Sequence, residues 1–383
     1  MTYRILTGDV IEQLATLPAQ SVHCAVTSPP YYGLRDYGVD GQIGLESSPA
    51  EYVARLVEVF RAVWRVLRDD GTLWLNLGDS YANDGKWGGT TSGKHSNGLH
   101  GEPVGRGRRD TGLKPKDLIG IPWRVAFALQ DDGWYLRQRI AWCKKAPMPE
   151  SVQDRPTSAV EDIFLLTKRA QYFYDAVAVR GDGVDWGSRK RDTGAHFTDG
   201  VMPNGSPHRG LREVERGSNM RNFWLLGPDP YPDAHFATYP REIPRRAILA
   251  GTSARGCCPV CGAPWERLVD REFHQQGDVS AEKAAMGSVK GLDNSNGWGD
   301  VPRGSVSVST RDWSPSCNCG VVHAVPCTVL DPFIGSGTTV AVAQTLGRDG
   351  IGVELNPAYV ELAHKRIGKA QPALWGIEDH VVA

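Results

Sequence analysis

The sequence predicts an α/β fold in which a mostly parallel sheet is covered by helices on both faces. Short apolar runs of strand length alternate with segments whose apolar residues recur at helical spacing, and this alternation is typical of parallel sheets. Near the C-terminus a glycine-rich turn joins such a strand to such a helix. The 383 residues, 40% of them hydrophobic, suffice for one large domain of this kind with insertions, or for two domains.

The N-terminal part supplies the first elements. Apolar runs predict strands at 4–6, 22–26 and 72–77, and helical spacing predicts helices at 10–17 and from 49 onwards. Ser48 and Glu51 form a capping box with Pro49 at the first helical position, so the second helix is expected to begin there. Residues 69–71, Asp-Asp-Gly, are expected to end it.

The remaining elements continue the alternation. The expected helices are 116–130, 241–250, a stretch that ends at 346, and 357–367, and the expected strands are 135–143, 161–166, 171–175, 328–330 and 350–354. Gly347 is the expected C-cap residue of the third of these helices. Residues 83–112 are rich in Gly, Ser, Thr and Asn, and we interpret them as a flexible loop.

The composition excludes several classes of protein. A formal net charge of −1 argues against a histone-like binder, although local basic patches can still bind nucleic acid. The N-terminus has no basic region followed by a long apolar run, and no uncharged apolar stretch is long enough to span a bilayer. We therefore expect a soluble, cytoplasmic protein that does not bind a membrane.

Two short motifs carry most of the functional information. Residues 27–32 read Thr-Ser-Pro-Pro-Tyr-Tyr directly after a predicted buried strand. Residues 331–339 read Asp-Pro-Phe-Ile-Gly-Ser-Gly-Thr-Thr between a strand and a helix. Because ligands bind at the C-terminal ends of the strands in open parallel sheets, we expect the two motifs to face each other across one crevice.

The second motif has the features of a turn that binds a nucleoside cofactor. Gly335 and Gly337 allow a ligand to approach the backbone closely and permit positive φ angles. Glu354 ends the next predicted strand, 23 positions after Asp331. An acidic residue at about this spacing typically accepts hydrogen bonds from two ribose hydroxyls. The turn contains no basic residue, and this favours S-adenosylmethionine over a dinucleotide.

Together the two motifs resemble those of the amino-methylating DNA methyltransferases. Their order, with the proline motif first, resembles the beta group of that family. The resemblance covers residues 1–80, 120–180 and 230–370, and it implies a Rossmann-like sheet in circularly permuted order. Residues 32–37 resemble a subset found in phage and bacterial genomes, which implies a bacterial or phage-infected host cell.

By this resemblance, the catalytic residues are Ser28, Pro29, Pro30 and Tyr31. An exocyclic amine is a poor nucleophile because its lone pair is delocalised into the ring. The Ser28 hydroxyl and the Pro29 carbonyl would accept the amine protons and direct the lone pair at the sulfonium methyl, while the flipped base stacks on Tyr31. The serine form of the motif favours N4 of cytosine over N6 of adenine. Residues 142–156 resemble the segment that lines the target-base side.

The resemblance also implies which residues bind S-adenosylmethionine. Phe333, Gly335 and Gly337 would hold the methionine part, Glu354 the ribose, and Asp9 would lie near the adenine ring unless it is only a helix N-cap. A second cofactor-binding stretch is implied between 235 and 253, where an ordinary helix start is the alternative. The full expected set is Asp9, Thr27, His235, Phe236, Thr252, Ser253, Asp331, Phe333, Gly335, Ser336, Gly337, Thr338, Thr339 and Glu354.

Five of the eight cysteines lie in two tight clusters, which in a cytosolic protein suggests a metal before disulfides. The expected ligands of a structural Zn²⁺ are Cys258, Cys261, Cys317 and Cys319. The second pair is separated by one residue instead of the usual two, so Cys257 or His323 could replace a ligand, and a disulfide or free thiols remain alternatives. No Glu adjoins a ligand pair, so we do not expect metal-activated water.

The expected organisation has five parts. These are a catalytic half at 1–180 that contains the flexible loop 83–112, a variable DNA target-recognition insertion at 181–230, a cofactor-binding segment at 231–255, a zinc-knuckle insertion at 256–320 and a cofactor-binding half at 321–383. The basic stretches 102–116 and 186–221 suit contacts with phosphates, although they could equally be solvated loops. Double-stranded DNA and a cognate restriction endonuclease are the expected partners, and the chain is expected to be a monomer or homodimer.

Two other functions remain open. Protein amide methyltransferases use a similar proline-proline-tyrosine loop, but they usually have Asn at the position of Ser28 and place the cofactor turn first. The other alternative is a zinc-bearing DNA-binding protein with an inactive methyltransferase scaffold. The intact Ser28–Tyr31 and Gly335–Gly337 motifs, together with Glu354, argue against it.

Overall fold

The computed structural model describes residues 2–34, 38–82, 111–147, 149–180, 219–229, 239–275 and 304–370. The chain divides into two compact units, the first formed by residues 1–175, 221–265 and 315–383 and the second by 176–220 and 266–314. Most of the predicted loop at 83–112 and of the predicted target-recognition insertion at 181–230 lies outside the described residues.

The described strands and helices have the following bounds. The strands are β1 (Tyr3–Thr7), β2 (Val22–Thr27), β3 (Leu67–Leu77), β4 (Tyr135–Lys144), β5 (Val160–Thr167), β6 (Phe223–Leu226), β7 (Trp265–Gln275), β8 (Gly304–Pro315), β9 (Thr328–Asp331) and β10 (Asp349–Glu354). The helices are α1 (Val10–Ala15), α2 (Pro49–Val66), α3 (Ile121–Asp131), α4 (Glu242–Gly251), α5 (Thr338–Thr345) and α6 (Pro357–Gly368). β7 and β8 form a separate two-stranded sheet.

The main sheet has eight strands in the order β1-β10-β9-β2-β3-β5-β4-β6. β5 runs antiparallel to both of its neighbours, and the other neighbouring strands run parallel, as the sequence predicts. From β9 the chain continues through α5 to β10, whereas from β2 it continues through α2 to β3 in the opposite direction along the sheet. The crossovers therefore diverge between β9 and β2, and such a switch point is where open α/β sheets bind ligands.

Helices pack on both faces of this sheet, which confirms the predicted layering. Ala25, Leu73 and Leu75 point to one face and belong to the core that α1, α2 and α3 complete. Alternate residues point to the other face, where α4 approaches so closely that a Cβ on its last residue, Gly251, would lie 2.3 Å from the Thr72 hydroxyl oxygen. Such alternation follows from the two-residue period of a strand.

The boundary between α2 and β3 differs from the prediction. The helix ends at Val66, and residues 69–71, which were expected to end it, lie inside β3. Two contacts from Lys168 account for the early strand, because its Nζ donates to the Leu67 carbonyl at 2.9 Å and pairs with Asp69 at 2.8 Å. Tertiary partners therefore override the local Asp-Asp-Gly signal.

Other elements also differ from the prediction. Residues 171–175 do not form the expected strand, because the amides of Phe173 and Asp175 bind the carbonyls of Asp70 and Ala250 instead of a neighbouring strand. α3 begins at Ile121 and not at 116. The strands β6, β7 and β8 were not predicted. Among the described residues, no helix is long and apolar enough to cross a bilayer.

Candidate active site

The two sequence motifs meet at the C-terminal ends of β2 and β9. The Thr27 hydroxyl donates to Asp331 Oδ1 at 2.7 Å, and both side chains are buried. A cleft with a cavity volume of about 270 Å³ opens beside this contact. Both motifs and the ends of neighbouring strands contribute to its lining, which includes Asp9, Ser28, Pro29, Pro30, Tyr31, Asn76, Trp142, Lys144, Glu161, Tyr239, Phe333, Gly335, Ser336, Thr338 and Glu354.

A hydrogen-bonded network of side chains forms one wall of the cleft. Ser28 Oγ donates to the Tyr31 hydroxyl at 3.2 Å, and that hydroxyl donates to Glu161 Oε2 at 2.6 Å. Asn76 Nδ2 donates to the Tyr31 hydroxyl at 2.8 Å and to Glu161 at 3.1 Å. Lys144 Nζ contacts the other carboxylate oxygen of Glu161 at 2.5 Å. We call these five residues the base wall.

Burial and charge keep Tyr31 as a neutral phenol. Burial raises the pKa of Tyr31 well above its ordinary value, and the neighbouring Glu161 carboxylate adds to the increase. Within the described part of the chain, the Oδ1 atom of Asn76 is buried without a hydrogen-bond partner. An unmatched buried acceptor costs about 1–3 kcal/mol, so the Asn76 amide is held in place by the contacts of its Nδ2 atom with Tyr31 and Glu161.

The proline corner, formed by Pro29 and Pro30, is held in place by a tyrosine that does not line the cleft. The Tyr52 hydroxyl donates to the Pro30 carbonyl at 2.8 Å, and no hydrogen bond from another described residue reaches the Pro29 carbonyl. Gly78 allows the Tyr31 ring to lie against the end of β3, because a Cβ at this position would be 2.4 Å from the ring. The Pro29 carbonyl is therefore available as an acceptor beside the ring.

The glycine turn after β9 also lines the cleft. Gly335 and Gly337 have φ angles of 50° and 88°, as their expected roles require. A Cβ at Gly337 would lie 3.0 Å from the Ala363 Cα, so only glycine lets α6 approach the turn. Glu354 accepts from the backbone N–H groups of Gly335 and Asn356, both at 2.9 Å, and its burial raises the pKa of the carboxyl group. We call Phe333–Gly337 and Glu354 the cofactor wall.

Asp331 is buried and does not belong to the lining of the cavity. Its carboxylate accepts from the hydroxyls of Thr27 and Thr339, at 2.7 and 2.6 Å, and from the Phe333 amide at 3.1 Å. The Tyr239 hydroxyl contacts both Asp331 and Thr339. Burial raises the pKa of Asp331, while these donors favour the ionised form. These three residues, Thr27, Asp331 and Thr339, are buried and leave no surface for direct contact with a ligand. Their role is therefore to support the glycine turn through hydrogen bonds.

A buried arginine supports the same turn. Arg366, on α6, donates to the hydroxyls of Ser336 at 2.8 Å and Thr338 at 2.7 Å. Both hydroxyls belong to residues that line the cleft. Arg366 was not predicted from the sequence, because it lies about thirty positions from the motif and in an ordinary amphipathic helix.

Two other expected cofactor residues lie elsewhere. Thr252 and Ser253 are buried at the end of α4 and do not line the cleft. The Thr252 hydroxyl accepts from Arg348 Nε at 3.0 Å and donates to the Ile248 carbonyl at 2.6 Å, so it is occupied within the core. The lining of the cleft therefore does not support these two residues as cofactor ligands, and their role stays a prediction. His235 and Phe236 lie outside the described residues.

Asp9 is a helix N-cap residue that also lines the cleft, and its position near the adenine ring stays a prediction. Its Oδ1 accepts from the Ile11 and Glu12 amides at 2.8 and 3.2 Å, so it is the N-cap of α1. The same carboxylate pairs with Arg55 at 3.2 Å and lines the cleft.

The four expected metal ligands are brought together. The sulfur atoms of Cys258, Cys261, Cys317 and Cys319 all lie within 4.8 Å of one another. Cys257, considered as a substitute ligand, belongs instead to a second buried group with His23 and Cys327, and His323 belongs to neither group. Hydrogen bonds from the Cys261 and Val260 backbone amides lower the pKa of Cys258 to about 7.

Asn76 and Glu161 in the base wall were not predicted from the sequence. Asn76 follows the apolar run Leu73–Leu75 near the end of β3, and Glu161 lies near the start of β5, before the apolar run Ile163–Leu166. A polar side chain in such a position is a signal for a site at the sheet edge, since it must find a partner when it is buried. Lys144 and Trp142 lie in the segment that the resemblance assigned to the target-base side.

Comparison with known protein structures places this fold in a class. The PvuII DNA methyltransferase, described as cytosine-N4-specific, superposes with a TM-score of 0.52 at 16% sequence identity, over 96% of this chain and 86% of that chain. The fold is therefore that of a methyltransferase.

Sequence comparison identifies the family. A family model for N6 and N4 methyltransferases, described as DNA methylase, matches residues 22–258 and 327–365. The Type II methyltransferase M.Cfr9I of Citrobacter freundii is 39% identical over 365 residues, which are 95% of this chain and 87% of that protein. M.SmaI of Serratia marcescens is 36% identical over 364 residues, which are 95% of this chain and 90% of that protein. The chain belongs to the N6/N4 DNA methylase family of amino-methyltransferases.

Proposed function

We propose that this protein transfers a methyl group from S-adenosylmethionine to the exocyclic amine of a base flipped out of DNA, with N4 of cytosine favoured over N6 of adenine. The observation that carries the proposal is the 2.7 Å hydrogen bond between Thr27 and Asp331, which brings the proline corner and the glycine turn to one cleft. Methyl transfer requires a base and a sulfonium carbon within reach of each other, and both motifs line this cleft.

Pro29 and the residues of the base wall have distinct proposed roles. The Pro29 carbonyl and the Ser28 hydroxyl oxygen accept the two amine protons, which directs the nitrogen lone pair towards the cofactor. Tyr31 supports the face of the flipped base. Glu161 and Asn76 hold the Tyr31 hydroxyl and thereby fix its ring. No strong base is required, because the amine becomes acidic once it carries the methyl group.

The residues of the cofactor wall fit S-adenosylmethionine. Two glycines with positive φ leave room for a ligand close to the backbone, and Glu354 is fixed by two amides so that it can accept from ribose hydroxyls. When bound, the cofactor supplies an electrophilic methyl group on a positively charged sulfur. The buried negative charge of Asp331 beneath the turn favours that positive charge.

The preference for cytosine rests on two supports. The first motif has its serine form, and the PvuII enzyme with the same fold is described as cytosine-N4-specific. The relatives are described as Type II methyltransferases, which supports modification of a specific site and a cognate restriction endonuclease as partner.

The circularly permuted order is also part of the proposal. β1 lies beside β10 in the sheet, and Tyr3 contacts His364 of α6 at 3.2 Å. A chain passing from α6 into β1 would continue the β9-α5-β10-α6 pattern without a break, so a single sheet forms although its cofactor half comes last.

Mass spectrometry of nucleosides tests the function. DNA from cells that express the protein should contain N4-methylcytosine, and DNA from cells with the Tyr31→Ala variant should not. N6-methyladenine alone would overturn the choice of base, and no methylated nucleoside would overturn DNA methylation.

Labelled methyl transfer in vitro separates the remaining alternatives. With labelled S-adenosylmethionine, plasmid DNA should become labelled and a mixture of cell proteins should not. Label in protein would favour an amide methyltransferase. DNA binding without transfer to either would favour an inactive scaffold that binds DNA. Zinc has no step in the proposed reaction, since none of the four clustered cysteines lines the cleft.

A further inference from the structure

The four-cysteine group has the dimensions of a tetrahedral metal centre. A Zn²⁺ ion with four Zn–S bonds of about 2.3 Å holds its sulfurs about 3.8 Å apart, and all four sulfurs here lie within 4.8 Å of one another. Two of them, Cys258 and Cys261, precede β7, and the other two, Cys317 and Cys319, follow β8. All four belong to the first compact unit.

The backbone around the cysteines is shaped for thiolate ligands. Gly262 and Gly320 each follow a cysteine pair and have φ angles of 71° and 69°, a conformation that glycine adopts without strain. The Gly262 amide donates to the Cys258 carbonyl at 2.8 Å and closes a tight turn.

This turn is attached to the N-terminal edge of the main sheet. His23, near the start of β2, accepts from the Thr328 amide with Nδ1 at 3.0 Å, so its Nε2 carries the proton and donates to the Gly262 carbonyl at 2.8 Å. Arg68, near the start of β3, donates to the Cys261 carbonyl at 2.7 Å. The starts of β2, β3 and β9 therefore all take part in the attachment.

The second group, His23 with Cys257 and Cys327, does not suit a metal although its atoms are equally close. Both nitrogens of His23 are engaged in hydrogen bonds, so no lone pair is left for a cation. This imidazole is better described as a link between the cysteine turn and β9.

We propose that Cys258, Cys261, Cys317 and Cys319 bind one structural zinc ion, and that this centre fastens the residues just before β7 and just after β8 to the N-terminal edge of the main sheet. The proposal does not depend on the methyl-transfer function. β2 alone extends about 13 Å from His23 to Thr27, so the zinc centre and the cleft occupy opposite edges. Metal loss should therefore loosen β7 and β8 and leave cofactor binding intact.

Metal analysis of the purified full-length protein tests the first part. Elemental mass spectrometry should find one zinc per chain in the wild type and in the control Cys143→Ser, whose sulfur belongs to neither group. Cys261→Ser and Cys319→Ser should each lose most of the zinc. Zinc retained in both variants, or a wild type that binds no zinc even when zinc is added, would overturn the assignment.

Hydrogen exchange of the same full-length proteins tests the second part. Zinc removal, or Cys319→Ser, should accelerate exchange at least about tenfold in β7 and β8, while β2 and β9 stay protected and the Kd for S-adenosylmethionine changes less than about threefold. Loss of protection throughout β2 and β9, or unchanged exchange in β7 and β8, would overturn the fastening role.

The attachment residue can be tested without disturbing the metal. Arg68→Ala should keep one zinc per chain but accelerate exchange in the amides of residues 258–262, and the control Arg61→Ala, which changes an exposed pair with Asp132, should not. Equal exchange in the two variants would contradict the attachment through Arg68.

Discussion

The two walls of the cleft are built in different ways. The cofactor wall comes mainly from one short turn, and its Glu354 is held by backbone amides. The base wall takes side chains from four separate strands or strand ends, joined to one another through Tyr31 and Glu161. The first wall is fixed by the main chain, whereas the second depends on side chains that hold each other.

This difference suits the two expected ligands. A cofactor used in every turnover can be bound by a preformed backbone turn. Beside the base wall, the Pro29 carbonyl receives no hydrogen bond from another described residue, and under the proposed mechanism the amine of the base would satisfy this acceptor. An interaction that forms only with the substrate contributes to specificity, because a substrate without the donor leaves the acceptor unpaired.

The largest expected effect separates the walls most clearly. Tyr31→Ala removes the stacking surface, and we expect methyl transfer to fall about a thousandfold, or about 4 kcal/mol, with the Kd for S-adenosylmethionine within about threefold of wild type. Single-turnover transfer and calorimetric binding measure the two quantities. Tyr31→Phe keeps the ring and loses the contact with Glu161, so its loss should be about tenfold. Equal losses in both variants would assign the effect to the hydroxyl and contradict the stacking role.

A substitution in the cofactor wall should weaken cofactor binding and leave the rate of methyl transfer nearly unchanged. Glu354→Ala removes the acceptor for the ribose and leaves the Gly335 and Asn356 amides unpaired. The Kd for S-adenosylmethionine should rise about 30- to 100-fold, or about 2–3 kcal/mol, while the rate at saturating cofactor stays within about threefold. Glu361→Ala, an exposed position on α6, is the matched control and should leave the Kd unchanged. A lower saturated rate with a normal Kd would place Glu354 in the chemistry instead.

The backbone character of the cofactor wall predicts a smaller effect on stability. Gly337→Ala introduces a Cβ at a φ of 88° and 3.0 Å from the Ala363 Cα, and should lower the free energy of unfolding by about 1–3 kcal/mol. Denaturant unfolding monitors this change. Gly368→Ala, where a Cβ would meet nothing within 4 Å, should have little effect. Equal stability of the two variants would show that the turn can adapt.

The contrast between the walls also explains what the sequence could predict. The turn at 331–339 and its partner Glu354 were identified because their geometry is local and glycine marks it. Ser28–Tyr31 were identified because they form one contiguous motif that resembles the catalytic motif of the amino-methyltransferases. Asn76 and Glu161 meet only after β3 and β5 pair, so no spacing in the sequence reveals that they share Tyr31.

Prediction of the fold from the sequence has the same limit, because contacts between distant residues cannot be read from a local pattern. Strands with continuous apolar runs, such as β2 and β10, were predicted closely. The strand predicted at 171–175 was wrong because its amides found other partners, and the start of β3 was missed because Lys168 stabilises an extended conformation at Leu67. In both places a contact distant in sequence outweighs the local pattern.

The smallest predicted effect concerns pH. Burial raises the pKa of Glu354 above its ordinary value of 4.5, so this carboxyl becomes protonated in the folded protein at a pH at which an unfolded chain keeps it charged. As the pH falls through that raised pKa, the group loses acceptor strength, and the affinity for S-adenosylmethionine should fall by at most tenfold per pH unit.

The raised pKa of Glu354 has the opposite effect on stability, which should increase as the pH falls while the cofactor affinity decreases. Because the folded protein takes up the proton first, the contribution of Glu354 to the free energy of unfolding increases as the pH falls from the folded pKa to the unfolded value. Burial also raises the pKa of Asp331, so both carboxyl groups contribute to the pH dependence of the wild type. Glu354→Gln isolates one of them: its cofactor affinity should be weaker at neutral pH but depend less on pH between 4.5 and neutrality. Calorimetric titrations with S-adenosylmethionine across this pH range measure the affinity of both proteins. An equal dependence of affinity on pH in the wild type and in Glu354→Gln would contradict the role of Glu354.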